Sequence, residues 1–456
     1  MLRASEASLQ PTVLKSILNL WVYTIKIQTL YTTISMSFKP TNTNAKKTQK
    51  THLKFEISVG VDCKYDLFKK EVNDFYEELN SIKKKLEISK NKIDPFFTMK
   101  NYQSIWGSLD LYAPLKRKLV ADFGAQYVTN AWIKYWEIYC EFSVVSMPAV
   151  KSATKTAPVR IFCNAELPGA SISAFNHYAD TYGIPYDWRA SSLSPSETQI
   201  NKDTLGDYYG IWEKNREKWL MSSKREVGIY YNNGDCTDIN NLNDFEKRIG
   251  INSDFGGVDI YSHDAGIEIA PTDYNRQEEL NLRIHLGCAL AGFMTLKKGG
   301  FFIAKQYTFF EPLSVELIAL YSSMFEKFYI DKPQTSRPYN SEIYLIGVGF
   351  LGLGDDVRAK LSHKLENFDL TPIDPKYMDL CGALGAILDA AKIFVNQVEY
   401  VEEGVALLKA HINDKYYNFK KFANVSGALI DDWLRRYPIK KLQVPLLGNV
   451  QSSAKW

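Results

Sequence analysis

Several features are scarce in this sequence, and each scarcity removes a class of protein. The six cysteines (Cys63, Cys140, Cys163, Cys236, Cys288, Cys381) lie far apart, with no CxxC pair and no histidine partner at zinc spacing. A disulfide framework and a structural zinc module are thereby excluded, and a reducing compartment is expected. No run is apolar enough to cross a bilayer. The best stretch, Val13–Ile34, is interrupted by Lys15, Asn19, Lys26 and Gln28, whereas a spanning helix needs about 20 predominantly apolar residues. No small-residue cleavage site follows it, so a secretory signal is not expected either. Charge of one sign is also lacking. The net charge is only +3, so any basic surface for nucleic acid must be local. Finally, there is no GxGxxG and no GK[ST], the glycine-rich loops that cradle a pyrophosphate or a triphosphate.

What is present is a chain with 45% hydrophobic and 23% charged residues, the balance of a protein that buries a substantial core. The Thr/Asn/Lys-rich stretch 41–50 is too polar to fold, and residues 1–35 read as an upstream extension before Met36. Lys64–Ser89 has apolar residues at helical spacing and is expected to be one amphipathic helix. A second helix is expected from about Phe123 to Phe142. Strands then alternate with helices. The expected strands are Val159–Ala165, Trp188–Leu193, Val227–Tyr231, Val258–His263, Phe301–Lys305 and Ser341–Val348. The helices between them are Ser171–Tyr182, Gln277–Leu296 and Pro312–Tyr329. Beyond Leu361 the pattern is helical, including Ala383–Ile412 and Phe422–Tyr437. Such alternation predicts an α/β fold with a largely parallel, doubly wound sheet.

The segment around which the rest is organised is Gly299–Tyr307. Its apolar run Phe301–Ala304 reads as a strand buried on both faces, and it ends on Lys305. One lysine there has two readings: it snorkels to solvent, or it is a partly desolvated amine where open α/β sheets bind ligands, at the carboxyl ends of their strands. Other strands deliver polar groups to the same edge: Glu166 and Gly169 after the first, Asp235 after the third, Asp264 after the fourth, and Glu342 at the start of the last. Lys134 comes from the helix before the first strand. Singly, Asp235 reads equally as a turn residue and Asp264 as a loop cap. Together they outline one site.

The segments VTNAWIK (128–134), AELPGASISAFNHY (165–178), WRASSL (188–193), YNNGD (231–235), DAGI (264–267), QEELNLRIH (277–285), GGFFIAKQYTFFE (299–311) and KPQTSRPYNSEIYLIG (332–347) follow one another as in a known family. In these stretches the sequence resembles the FtsJ-like ribose 2′-O-methyltransferases, and within them the Adrift-type branch that methylates the mRNA cap region. It is also similar to the version carried by large cytoplasmic DNA viruses of the asfarvirus kind. The likeness covers roughly Val120–Gly349. It implies a doubly wound, mostly parallel, seven-stranded Rossmann-like methyltransferase sheet with helical N- and C-terminal additions. The domains it implies are a disordered extension (1–50), a helical N-terminal region (51–119), the methyltransferase domain (120–350) and a helical C-terminal region (351–456).

The resemblance further implies a catalytic tetrad at Lys134, Asp264, Lys305 and Glu342. S-adenosylmethionine (SAM) is the implied cofactor, with Glu166, Pro168, Gly169, Tyr186, Asp235 and Asp264 at its site. Lys332, Arg337 and Asn340 are expected on the RNA side, with Arg276 near them and Tyr307, Tyr339 and Trp212 as stacking candidates. This chain has Leu167-Pro168-Gly169 where the family commonly has Ala-Pro-Gly, which alters a pocket wall and leaves the turn intact. The implied reaction moves a methyl group to a ribose 2′-hydroxyl and requires no metal. Lys305 acts as base only if its pKa falls from about 10.4 toward about 7–8; burial, the charge of Lys134 and the cationic sulfonium favour that fall, and Asp264 and Glu342 oppose it. The implied partners are the capped mRNA 5′ end and other capping or transcription proteins, with no membrane. A viral setting implies the cytoplasm (virus factory or virion), a cellular one the nucleus. Two alternatives stay open: a 2′-O-methyltransferase for rRNA or tRNA, and a non-catalytic RNA-binding subunit of a capping complex.

Overall fold

The computed structural model describes residues 52–57, 65–194, 206–222, 228–267, 269–374, 381–416 and 423–446. The expectations for residues 1–50 lie outside these. Among the described residues one sheet has seven strands: β1 (Leu53–Ile57), β2 (Val159–Asn164), β3 (Tyr186–Ala190), β4 (Val258–His263), β5 (Leu296–Gln306), β6 (Phe325–Lys332) and β7 (Ile343–Phe350). Their order across the sheet is β1-β6-β7-β5-β4-β2-β3. The β3/β2, β2/β4 and β4/β5 pairs are parallel, β7 is antiparallel to both β5 and β6, and β1 is antiparallel to β6. Strands β2 to β6 therefore point one way and β1 and β7 the other, the mostly parallel α/β sheet the sequence predicts.

The principal helices are α1 (Tyr65–Asn91), α2 (Asn130–Glu141), α3 (Ala170–Tyr182), α4 (Ile239–Ile249), α5 (Gln277–Thr295), α6 (Pro312–Ser322), α7 (Asp355–Glu366), α8 (Cys381–Ala390), α9 (Lys392–His411) and α10 (Ala423–Arg436). They cover both faces of the sheet. Successive side chains of a strand point to opposite faces, and β5 shows the consequence. Phe302 and Ala304 join a core with residues of α1, α4, α5, α6 and α8, whereas Phe301 and Ile303 join a second core with α2, α3 and α10. Phe301, Phe302 and Ile303 are fully buried. The segments expected as helical additions thus complete the cores of the sheet: Phe75 and Leu79 of α1 and Ile387 of α8 share a core with Phe302.

Four expectations need correction. The helix expected over Pro312–Tyr329 stops at Ser322, and Phe325–Lys332 is strand β6. Phe325, Phe328 and Ile330 are buried there while Glu326 and Lys327 are exposed, so pairing with β7 outweighs the helical reading. The strand expected at Val227–Tyr231 does not form: Gly228–Tyr231 is turn and coil, with Gly228 at φ 80°, and Val227 lies outside the described residues. Its place in the strand count is taken by β1, where the sequence reading expected a helical region. LKFEI alternates polar and apolar residues and pairs with β6 from Leu53↔Lys332 to Ile57↔Phe328. The helix expected from Phe123 to Phe142 is broken at Gly124, a left-handed cap at φ 66° that ends Leu115–Phe123. It restarts at Thr129, whose side chain accepts a hydrogen bond from the Trp132 backbone N–H at 3.2 Å.

Candidate active site

The parallel strands end together, and the topology adds one more group to that edge. Because β7 runs antiparallel to β5, Ile343 pairs with Gln306, so the residue before β7, Glu342, stands beside the end of β5. Lys305 is the penultimate residue of β5, Asp264 directly follows β4, and Lys134 reaches the edge from the first turns of α2. These four side chains meet. Lys305 Nζ lies 3.3 Å from Asp264 Oδ1 and donates to the Asp264 backbone carbonyl at 2.8 Å. Lys134 forms an ion pair with Glu342 Oε1, which also accepts from the Tyr344 hydroxyl at 3.0 Å. Gly266 is pressed against the base of the site: a Cβ there would lie 3.1 Å from Lys305 Nζ and 2.7 Å from the Tyr307 hydroxyl oxygen.

The two carboxylates are shifted in opposite directions. Burial works against the Glu342 carboxylate, but Lys134 and Lys305 outweigh it and hold the group well below the usual range. Burial pushes Asp264 up, with Lys305 opposing and Glu342 adding to the rise. For Lys305, burial lowers the pKa, but Asp264, Tyr307 and Glu342 overcome it, and the ammonium sits above its ordinary value. This corrects the expected fall toward neutrality. The two carboxylates dominate the neighbourhood, and they outweigh the cation on Lys134.

The turn between β2 and α3 carries Glu166, Pro168 and Gly169. Gly169 has φ 110°, and a Cβ there would come within 2.3 Å of Ile211 Cδ1, so the close approach requires glycine. The Glu166 carboxylate accepts from the backbone N–H of Ser171 at 2.8 Å and of Ile172 at 3.2 Å, and from the Ser171 hydroxyl. It caps α3 from inside the fold, and burial pushes it up to about 8. Its oxygens are therefore committed to the helix, which leaves the turn backbone to face a ligand. Asp235 accepts from the Thr237 N–H and hydroxyl, each at 2.8 Å. It follows Gly234, which packs so tightly on the end of β3 that a Cβ would meet Ser192 O at 1.8 Å. Asp235 lies at the carboxyl edge beside the end of β3, rather than after the strand expected at Val227–Tyr231, on a loop pinned by the Ser194 N–H to Asn233 O bond of 2.7 Å.

Tyr186 is elsewhere. It begins β3 and pairs with Val159 at the amino end of β2, and its hydroxyl donates to Asn176 Oδ1 at 2.7 Å. The carboxyl end of β3 is four residues, about 13 Å, further along. The expected cofactor contact from Tyr186 is thus corrected: it packs under α3. Serines immediately after β3 occupy the position instead. Ser191 is fully buried and its hydroxyl makes no hydrogen bond among the described residues, and Ser192 Oγ accepts from the Leu167 N–H at 3.3 Å. Their place in WRASSL was legible, but their role was not, because serine after a strand is ordinary turn chemistry.

The expected RNA-side residues divide. Lys332 is buried at 7% exposure, and its Nζ donates to the backbone carbonyls of Asn340 and Glu342, the latter at 2.8 Å. Burial lowers it to about 7, Glu342 opposes this, and Lys134 and Lys90 add to the fall. An inward lysine held by two carbonyls is not the surface phosphate contact expected of it. Arg337 remains half-exposed, with Nε 3.2 Å from Asp110 Oδ2. Asn340 Oδ1 accepts from the Glu342 N–H at 3.0 Å. Arg276 is exposed and bonded to Glu279. Of the aromatics, Tyr307 is buried between Lys305 and His285, Tyr339 packs on Trp106 at 4.8 Å, and Trp212 lies under the Arg216 guanidinium.

Among the described residues, no helix is long and apolar enough to cross a membrane and no group of three or more His, Cys, Asp or Glu side chains is arranged for a metal ion.

Residues 207–350 match the FtsJ-like methyltransferase family. The chain is 37% identical over 292 residues to the probable methyltransferase EP424R of African swine fever virus (isolate Pig/Kenya/KEN-50/1950), covering 62% of this chain and 65% of that protein. It is 30% identical over 328 residues to the uncharacterized protein L511 of Acanthamoeba polyphaga mimivirus, covering 72% of this chain and 38% of that one. It is 28% identical over 382 residues to the cap-specific mRNA (nucleoside-2′-O-)-methyltransferase 2 of Drosophila melanogaster, covering 81% and 51%. The chain thus spans just under two thirds of its African swine fever virus relative and about half of its fly relative.

Proposed function

We propose that this chain, which carries an FtsJ-like methyltransferase domain, is a SAM-dependent enzyme that methylates a ribose 2′-hydroxyl at the capped 5′ end of mRNA. The observation that carries the reading is the convergence of two lysine–carboxylate pairs, Lys305–Asp264 and Lys134–Glu342, on one edge of the sheet. The similarity to a cap-specific relative supports the substrate. The methyltransferase unit is proposed to span 120–350, and the viral relatives support a cytoplasmic viral setting.

The residues present fit SAM. Among the described residues, Asp264 Oδ1 makes no hydrogen bond beyond its 3.3 Å ion pair with Lys305, and the Ser191 hydroxyl makes none, which leaves capacity for the amine and hydroxyl donors of such a ligand. Asp264, Ser191, Asp235 and the 165–169 turn would hold it. When bound, SAM supplies an activated methyl group on a sulfonium. The protein must then orient the ribose hydroxyl and remove its proton. Lys305 is placed for that task but is fully protonated in the resting site, since Asp264 and Glu342 favour its charge. It polarises the hydroxyl as an ammonium and takes the ribose proton only in the fraction that is neutral, a fraction that grows when a cation bound against Asp264 offsets that carboxylate. Lys134, fixed by Glu342, directs its remaining N–H groups to the same oxygen and stabilises the developing alkoxide.

The test is methyl transfer from labelled SAM to uncapped, cap-0 and cap-1 RNAs, with nuclease mapping of the product. Label on a cap-proximal ribose is the expected result, and its position assigns the nucleotide. Equal labelling of uncapped RNA would transfer the assignment to structured-RNA methylation. SAM binding without transfer to any RNA would favour the non-catalytic subunit.

A further inference from the structure

The loop between β6 and β7, residues 333–342, ends in Glu342 and is fixed by polar side chains from four different elements, three of them buried. At its start, Glu137 of α2 accepts from the backbone N–H groups of Gln334 at 2.6 Å and Thr335 at 3.1 Å, and from Trp433 Nε1 of α10 at 2.8 Å. At its end, Gln397 of α9 donates to the Tyr339 carbonyl at 2.9 Å and to Ser341 Oγ at 3.1 Å. Lys90, in the last turn of α1, donates to Ser341 Oγ at 2.8 Å. Lys332, the last residue of β6, bridges the loop's two ends by donating to the carbonyls of Asn340 and Glu342. Lys332, Glu137 and Gln397 are all nearly or fully buried.

We propose that Lys332 is a positioning residue for the methyl-transfer site: its two hydrogen bonds fix the backbone at Asn340 and Glu342, which aims the Glu342 carboxylate at Lys134, and Gln397 and Lys90 hold the same turn from the terminal helices. The inference rests on the reading of the site as a methyltransferase. The geometry favours it over a loose structural role for two reasons. A buried lysine whose bonds go to main-chain carbonyls, with no carboxylate partner in hydrogen-bond contact, is costly to desolvate and has one clear product here, the conformation of residues 340–342. That conformation is what decides where Glu342 points, because the residue lies outside the β7 ladder and has no sheet bonding of its own to set it. The helices before and after the methyltransferase match then have a defined task. They enclose the loop that carries one of its four site residues.

The test compares the wild type with Lys332→Met, which keeps the stem and removes the donors. Rates are expressed per SAM-binding site, so that a misfolded fraction does not count. The expected result is a kcat lower by about 10–100-fold, the scale of a misplacement of roughly 1 Å, with KM for RNA and Kd for SAM within about twofold. In a Glu342→Gln background the same change should cost less than about twofold, because Lys332 acts through Glu342. An unchanged kcat in Lys332→Met, or an equal loss in both backgrounds, overturns the proposal. If Lys332→Met does not fold, Lys90→Met makes the same comparison from the half-exposed side of the turn, with an expected loss of about 3–10-fold and the same epistasis; additivity with Glu342→Gln overturns the proposal. A wild type that binds SAM but transfers to no RNA overturns the functional reading and this inference with it, a result distinct from an active wild type matched by an equally active Lys332→Met.

Discussion

The site holds two lysine–carboxylate pairs, one with a glutamate and one with an aspartate, and they are built differently. In the Lys134–Glu342 pair the acid side chain is 12% exposed, bonded by lysine and by the Tyr344 hydroxyl, and set on a backbone fixed by Lys332. In the Lys305–Asp264 pair the acid side chain is 26% exposed, Oδ1 makes no hydrogen bond, and the lysine also holds a backbone carbonyl. The first pair is closed and electrically satisfied. The second is the more open: its acid is more exposed, and Asp264 Oδ1 has the Lys305 ammonium at 3.3 Å and, among the described residues, no hydrogen bond besides. Two lysine–carboxylate pairs thus differ in burial and hydrogen bonding, and under the proposed function the first is the scaffold half and the second the working half.

The comparison breaks most directly at the lysine of the open pair. Lys305→Ala should lower methyl transfer by about 10²–10⁴-fold, the range of a lost acid–base group, while SAM affinity, measured by calorimetry, changes little. The two acids should then separate the pairs. Asp264→Asn is expected to weaken SAM binding by about tenfold or more, as loss of a charge-assisted hydrogen bond does, with a small effect on stability. Glu342→Gln is expected to leave SAM affinity nearly unchanged and to destabilise the fold by about 3 kcal/mol, because Lys134 stays buried without its charge partner. Thermal unfolding and SAM titration of both variants check this. Equal behaviour of the two would erase the distinction.

A smaller effect lies in pH. A base works when deprotonated, and Lys305 is held above its ordinary value. The rate should therefore climb with pH well past neutrality, and Glu342→Gln, which removes one of the carboxylates that favour the ammonium, should move the climb to lower pH. Rate–pH profiles of the two proteins test the sign. The smallest expected effect concerns His285, next to Tyr307. Burial, followed by the charge on Lys305, lowers it to about 4, while the unfolded chain titrates near 6.5. The unfolded state then binds more protons, so stability is full above about pH 6.5 and declines as pH falls toward 4. Removing the titration with His285→Gln should flatten melting temperature against pH in that window.

Much of this was legible in the sequence, for identifiable reasons. The strand-end residues Asp264, Lys305 and Glu342 follow from apolar runs that end on charged groups, and Lys134 from its place in VTNAWIK, so the four could be nominated together before any geometry was known. The alternation of elements pointed to a largely parallel α/β sheet, and the resemblance supplied its seven strands. β6 was hidden because FEKFYIDK follows an apolar helix with only Ser323-Met324 between them, and β1 because a five-residue strand beside a long amphipathic helix is a weak local signal. Tyr186 was misplaced because register along a parallel strand depends on its neighbour, here Val159. Lys332 was misread because the carbonyls that hold it belong to the returning loop at Asn340 and Glu342, and the charges around it, Lys134 and Lys90, come from distant helices. Whether a lysine near a site faces phosphate or carbonyl is decided by that enclosure.

The account stands on the open pair being the one that works. Its most direct test is labelled-methyl transfer to capped RNA by the wild type and Lys305→Ala at matched SAM occupancy. The prediction is robust labelling of a ribose 2′-oxygen by the wild type and a loss of at least about 100-fold in the variant. Wild-type labelling that persists in Lys305→Ala would contradict it and would move the chemistry away from this edge of the sheet.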